Sequence, residues 1–116
     1  YCFHLGRRLA EIFAGTKTLL IASTDLSHYH TYEEAEALDD IVIRDVAGFD
    51  SEKTMTDLET ECTEACGGGP MVAVLAATRS LGANRAEILC RCNSGDVTGD
   101  RTSVVGYFSA LLLNTN

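Results

Sequence analysis

The stretch ASTDLSHY, residues 22–29, follows directly on the apolar run LLI and groups residue types that can do chemistry. Asp25 lies three residues before His28, a spacing at which a carboxylate can hold one ring nitrogen and present the other. That arrangement suits general acid–base catalysis or a metal ligand. A local alternative stays open, in which the hydroxyls and Asp25 cap a turn and His28 is half exposed. His30 is predicted to be a plain surface residue.

Cys66 is the second candidate, because it lies just before the glycine turn Gly67–Gly69 and Pro70, where a helix is predicted to begin. A thiolate there would face free backbone N–H groups and the positive end of the helix dipole. Glycines also let the backbone come close to a ligand. This setting indicates that Cys66 acts as a nucleophile or as a metal ligand. The alternative is a small buried residue followed by a flexible connector. Cys62 is predicted to pack at a helix end.

The remaining cysteines and a loop rich in Asp and Gly carry weaker signals. Five cysteines, an odd number without zinc-ribbon spacing, disfavour a disulfide framework and a four-cysteine zinc site. Cys90 and Cys92 are interpreted as two small buried hydrophobic residues on a strand. The loop at 93–100 lacks both the EF-hand spacing and the lysine of a phosphate-binding loop, so it is predicted to be a turn. The expected compartment is the reducing cytoplasm.

The net charge argues against two classes of function. Nine Lys and Arg against 17 Asp and Glu give a formal net charge of −8, which argues against binding to nucleic acid and against a polybasic membrane surface. No apolar run approaches the roughly 18–20 residues that a membrane span needs. The acidic residues of one predicted helix are interpreted as a solvated face: Glu33, Glu34, Glu36, Asp39 and Asp40.

Hydrophobic periodicity and capping signals give the elements that must position the candidate residues. Helices are predicted at residues 2–15, 32–49, 51–62 and 71–81, and strands at 18–22, 87–93 and 103–113. Helices and strands alternate early and two strands adjoin late, which predicts an α/β layered domain with a mixed sheet. In such sheets ligand sites lie beyond the carboxyl ends of strands, which is where residues 22–29 occur.

The first residues indicate a longer protein. The chain begins at Tyr1 rather than Met and is already inside a helical pattern. We therefore expect residues 1–116 to be the C-terminal portion of a larger domain. The absence of the rest would expose an apolar sheet edge and face, so a homo-oligomer is expected for the isolated chain.

Four segments then point to one family: LIASTDLSHY, YEEAEALDDIVIRDVAGFD, TEACGGGPMVAVLAA and NSGDVTGDRTSVVGYFSALL. In their order and spacing they resemble the Memo-like family, also called protein B of the AmmeMemoRadiSam system, over nearly the whole chain. The resemblance implies the fold of class III extradiol ring-cleaving dioxygenases, a three-layer α/β/α sandwich with a mixed sheet. It also implies that complete members are considerably longer than this chain.

The resemblance further implies roles for individual residues. In the family a metal-type pocket takes two histidines from the N-terminal part and a cysteine before the glycine turn, and Cys66 occupies the place of that cysteine. His28 matches the acid/base histidine of the related dioxygenases, and Asp25 matches a pocket-lining carboxylate. A mixed His/Cys site implies iron or copper as the cofactor of the complete protein. This chain alone has one thiolate and one imidazole for a site that needs about three protein ligands, so it is expected to hold metal weakly, if at all. Many members carry an Arg where this chain has Gly68, so any anion-holding role of that Arg does not carry over to this chain.

Two functions follow as expectations. The first is a metal-dependent, dioxygenase-like oxidoreductase or a related metal-handling protein. Whether it is an enzyme stays open, because a cysteine in place of the usual carboxylate ligand changes the electronics of the iron. The alternative is a non-enzymatic module that binds a small molecule, a peptide or a partner protein through the same crevice.

Overall fold

The computed structural model describes residues 1–116, which form five helices and three strands. In chain order these are α1 (Cys2–Phe13), β1 (His28–His30), α2 (Tyr32–Ala47), α3 (Ser51–Glu59), α4 (Gly68–Ser80), β2 (Arg85–Asn93), α5 (Ser94–Thr98) and β3 (Val104–Leu113). The predicted α/β class is confirmed. None of the helices combines the length and the apolar character required to cross a bilayer.

The sheet contains three strands in the order β1-β3-β2. Strand β3 pairs antiparallel with β2 from Arg85 opposite Leu113 to Asn93 opposite Gly106, with one register shift between Ile88 and Cys90. On its other edge β3 meets only the short strand β1, with His28 opposite Val105. All the strand pairs are antiparallel, so the parallel pairs of a mixed sheet are not formed within these residues. The sheet places His28 at the edge of β3.

The strand predicted at residues 18–22 is not formed. No backbone hydrogen bond joins these residues to any other part of the chain, and Leu19 and Ile21 are 79% and 76% exposed. An apolar run indicates a strand, but a strand persists only where a neighbouring edge supplies hydrogen bonds. Residues 18–22 instead line one side of an apolar groove of about 600 Å³, and β3 lines the other side.

The turn predicted at residues 93–100 contains a short helix, α5. Asn93 caps its first turn by accepting a hydrogen bond from the Gly95 N–H, and the Asp96 carboxylate accepts one from the Asn93 N–H. Gly99, with a φ of 79°, ends the helix in the left-handed conformation. The Asn, Asp and Gly residues that predict a turn are also the residues that cap helices, and here they do the latter.

Helix α2 connects the sheet to the core. Thr31 and Glu34 form a capping box at its start, in agreement with the helix predicted from Tyr32. Its inward face packs in a core that includes Leu26, Val42, Val46, Phe49, Met71 and Leu75. One of its acids departs from the predicted solvated face, because Asp39 is only 3% exposed.

Asp39 lies where α2, β3 and the segment before β1 meet. Its Oδ1 accepts a hydrogen bond from the Ser27 N–H at 3.0 Å. The Gly106 backbone holds the same segment, because its carbonyl accepts from the Leu26 N–H and its N–H donates to the Ser27 carbonyl, both at 2.9 Å. A Cβ at Gly106 would overlap the Asp39 carboxylate. The absence of a side chain at Gly106 therefore lets Asp39 reach Ser27, the residue before His28.

Gly106→Ala tests this close approach. The added methyl group must displace the Asp39 carboxylate or the strand, so we expect the free energy of unfolding to fall by about 1–3 kcal/mol in chemical denaturation. Gly48→Ala is the matched control, because Gly48 has a φ of −74° and a Cβ there would come no closer than 3.4 Å to another atom. In an Asp39→Ala background Gly106→Ala should cost much less, and equal costs in the two backgrounds would contradict the argument.

Candidate functional site

Asp25, His28 and Cys66 converge in the structure and are called the donor group below. One carboxylate oxygen, one imidazole nitrogen and the thiol sulfur all lie within 4.8 Å of one another. His28 Nε2 is 3.9 Å from Asp25 Oδ2, and the side chains of His28 and Asp25 are 37% and 49% exposed. The structure therefore brings together all three residues that the sequence predicted for the site, although Cys66 is 41 positions from Asp25.

Three hydrogen bonds donated by backbone N–H groups hold the Cys66 segment against the segment of Thr24 and Asp25. The Asp25 N–H donates to Cys66 Sγ at 3.2 Å, and the Cys66 N–H donates to the Asp25 carbonyl at 3.2 Å. The Gly67 N–H donates to Thr24 Oγ1 at 2.7 Å. A Cβ at Gly67 would overlap the Ser23 carbonyl oxygen, so the two segments approach this closely only because residue 67 is glycine.

Cys66 lies two residues before the first residue of α4, as its predicted place at a helix start requires. The helix begins at Gly68 rather than at Met71, so Pro70 is the third helical residue instead of the first. Pro70 is tolerated there because the first N–H groups of a helix have no intrahelical partner. Cys66 is exposed, and the alternative of a small buried residue is wrong. Packing was also the wrong prediction for Cys62 and Cys90, which are both exposed.

Glu64 links the two histidines of β1. Its Oε2 accepts a hydrogen bond from the His28 N–H at 3.3 Å, and its Oε1 lies 2.7 Å from His30 Nε2. Partial burial acts to raise the pKa of Glu64, but the hydrogen bonds from His30 and from the His28 N–H outweigh it and lower that pKa below its ordinary value. His30 is thus engaged by a carboxylate and is not a plain surface residue.

Sequence reasoning missed Glu64. It stands 36 positions from His28, and nothing in the pattern around it distinguishes it from the neighbouring glutamates at 59 and 61. The one available signal is its position two residues before Cys66.

An open cavity of about 730 Å³ lies beside the donor group. His28 and Cys66 line one part of it, and apolar side chains line another: Leu26, Met55 and Leu58. Its charged residues are all acidic: Glu59, Glu61 and Glu64. A Cβ at Gly68 would lie 2.9 Å from Leu58 Cδ1, so a larger side chain at that position would have to displace Leu58. The cavity can admit a ligand that reaches the thiol and the imidazole.

The donor group could hold a metal ion. Ligands bound at about 2.0–2.3 Å in a tetrahedral site lie roughly 3.3–3.8 Å apart. The observed separations reach 4.8 Å, and rotations of these partly exposed side chains can close the difference. Three protein donors with one open position are the arrangement of catalytic metal sites. The oxygen, nitrogen and sulfur set suits transition metals better than Mg²⁺ or Ca²⁺, which prefer oxygen ligands.

Thr24→Val tests how the two segments are held. Valine has nearly the shape of threonine but cannot accept the hydrogen bond from the buried Gly67 N–H, so we expect the free energy of unfolding to fall by about 1–3 kcal/mol. Thr24→Ser is the matched control, because it retains the hydroxyl. Equal stability of the two variants in denaturant titrations would show that this hydrogen bond does not hold the Cys66 segment in place.

Comparison with known proteins relates nearly the whole chain to one family. Residues 2–111 match the family described as Memo-like protein. A MEMO1 family protein of Methanococcus maripaludis is 39% identical over 113 residues, which cover 96% of this chain and 40% of the relative. A MEMO1 family protein of Methanosarcina mazei is 38% identical over 110 residues, which cover 93% and 41%.

A third relative extends the comparison. A MEMO1 family protein of Methanocaldococcus jannaschii is 41% identical over 96 residues, which cover 83% of this chain and 33% of the relative. The chain thus spans between 33% and 41% of the length of these three relatives. With a family match from residue 2 to residue 111 and several relatives near 40% identity, the chain belongs to the Memo-like family.

Proposed function

We propose that this chain supplies part or all of a site for a redox-active metal, iron or copper, in a Memo-like protein. The convergence of a carboxylate, an imidazole and a thiol within 4.8 Å is the observation that carries the proposal. The thiol is the soft ligand that distinguishes such a site from one for Mg²⁺ or Ca²⁺. The adjoining cavity of about 730 Å³ gives a substrate access to it.

Each residue of the donor group has a proposed role. Cys66 is the soft metal ligand. His28 is the general acid/base, because its ring is partly exposed and lines the cavity. Asp25 orients His28 from 3.9 Å and can approach the same ion. When bound, the metal would supply Lewis-acid and one-electron chemistry.

We propose the class of metal-dependent oxidoreductase for the complete protein, with a fold of the extradiol dioxygenase type. The proposal does not extend to ring cleavage, because a thiolate in place of a carboxylate ligand alters the electronic properties of the iron. We propose the cytoplasm as the compartment, since five free cysteines suit a reducing environment.

Metal analysis of the complete protein that contains this chain tests the ligand assignment. We expect Cys66→Ser to reduce bound iron or copper at least tenfold relative to the wild type, because the hard hydroxyl replaces the soft thiolate. Cys62→Ser is the matched control, since Cys62 is an exposed free cysteine four positions away and outside the donor group. It should retain the wild-type metal content.

The other two donors refine the result. The metal content of His28→Ala and of Asp25→Asn shows whether each residue is a ligand or a general acid/base. Loss of a ligand lowers the metal affinity, whereas loss of a general acid/base leaves the metal bound. Equal metal content in the wild type and in Cys66→Ser would remove the assignment.

The apolar part of the cavity favours a second candidate, a binding module without catalysis. Leu26, Met55 and Leu58 provide a surface for a small molecule or a peptide side chain. The absence of Lys and Arg from the lining argues against an anionic ligand. This candidate is preferred if the complete wild-type protein binds no metal and the Cys66→Ser variant folds normally.

The apolar groove beside β3 supports self-association of the isolated chain. Leu19 and Ile21 are largely exposed there, and residues 18–22 have unpaired backbone groups. We expect sedimentation velocity to show a dimer or a larger assembly. Substitution of Leu19 and Ile21 by Lys should shift it towards the monomer, whereas the same change at exposed Val97, on α5, should not. A wild-type monomer at high concentration would contradict this expectation.

A further inference from the structure

We propose that Glu64 is a positioning residue, which fixes the orientation of His28 by holding the backbone of His28 and the ring of His30 at once. What His28 then does rests on the function proposed above, but the positioning itself does not depend on a bound metal. Glu64 is not one of the three residues of the donor group.

Strand β1 needs such support because the strand itself is weak. It has three residues, and its register with β3 is interrupted between His28 and His30. Tyr29, between them, has a φ of 64°, in the left-handed region that a bulky residue rarely adopts. A strand interrupted at its middle residue does not by itself fix the direction of the His28 side chain.

Glu64 contacts both sides of this interruption. One carboxylate oxygen accepts the hydrogen bond from the His28 N–H, and the other lies 2.7 Å from His30 Nε2. Tyr29, with its unfavourable conformation, is thus enclosed between two residues bound to one side chain. The carboxylate holds together a turn that would otherwise have alternative arrangements.

Glu64 is itself held on both sides along the chain. Thr63 is buried, and its hydroxyl donates to the Leu38 carbonyl at 2.6 Å. Cys66 bonds to the Asp25 backbone, as described above. Glu64 therefore joins the segment that carries Cys66 to the strand that carries His28, and any shift of the carboxylate changes the geometry between the imidazole and the thiol.

The neighbouring acids provide a matched control. Glu59 and Glu64 line the same cavity, but no side-chain hydrogen bond involves Glu59. An effect of charge near the cavity should therefore appear in both Glu59→Ala and Glu64→Ala. An effect of positioning should appear in Glu64→Ala alone.

The first readout needs no metal. We expect the His28 amide of Glu64→Ala to exchange with solvent about tenfold faster than in the wild type, because its acceptor is gone. In ¹⁵N-histidine-labelled protein, the ring signals of both His28 and His30 should shift. Glu59→Ala should match the wild type. Unchanged exchange and unchanged His28 ring signals in Glu64→Ala would overturn the proposal.

The second readout uses Co²⁺ as a spectroscopic probe of the donor group. Glu64 joins the segment of the proposed ligand Cys66 to strand β1, and loss of a residue that orients a metal-binding side chain typically costs 10–100-fold in metal affinity, so we expect about a tenfold loss in Glu64→Ala. Glu64→Gln, which keeps the size and one acceptor oxygen, should recover part of that affinity. If Glu64→Ala does not fold, Glu64→Gln takes its place in the test. Its His28 amide exchange rate and its Co²⁺ affinity should lie between those of the wild type and those expected for Glu64→Ala. Wild-type values for both measurements would overturn the proposal.

The outcomes also separate this proposal from the proposed function. If wild-type protein binds no Co²⁺, iron or copper, the metal function fails, and His28 exchange still decides the role of Glu64. If Cys66→Ser loses metal while Glu64→Ala behaves as the wild type in every readout, the metal function stands and the positioning role fails. A purely structural role would lower the free energy of unfolding and leave the His28 signals of the folded protein unchanged.

Discussion

The buried carboxylate of Asp39 is the constraint on which the site depends. A carboxylate with 3% exposure needs hydrogen-bond donors to offset its burial, and here the Ser27 N–H is one such donor. This bond joins α2 to the segment that leads into His28. It requires β3 to present no side chain at Gly106, so one missing Cβ on the sheet determines how a helix meets the candidate site.

A second close approach, at Gly67, completes the framework. Gly106 holds residues 26 and 27 to the sheet, and Gly67 brings the Cys66 segment against Ser23 and Thr24. Both attachments use backbone groups and small polar atoms. The side chains of Asp25 and His28 take no part in these two attachments. Cys66 Sγ accepts a hydrogen bond from the Asp25 N–H, but all three side chains remain partly exposed beside an open cavity, where a ligand can reach them.

Local signals predicted much of this arrangement. Helices α1, α2 and α4, the strands β2 and β3, and Cys66 before a helix all follow from periodicity, capping residues and glycines close in sequence. The features that the sequence did not reveal depend on distant partners: Asp39 is buried because Ser27 and Gly106 meet it, and residues 18–22 lack the neighbouring edge that a strand needs. Glu64 belongs to the same class, since only the fold brings it to His28 and His30.

The composition of the donor group also limits which ions it can select. Imidazole and carboxylate ligands bind many divalent metals, and the affinity of such a site generally depends more on which metal is bound than on the protein. Any preference of the group for softer transition metals would therefore come from the sulfur of Cys66, the one soft donor of the three. Because that sulfur is exposed, it is also the atom of the group most open to oxidation. A bound metal and an oxidant would compete for the same atom, and the Asp25 N–H that donates to it constrains the direction from which either can approach.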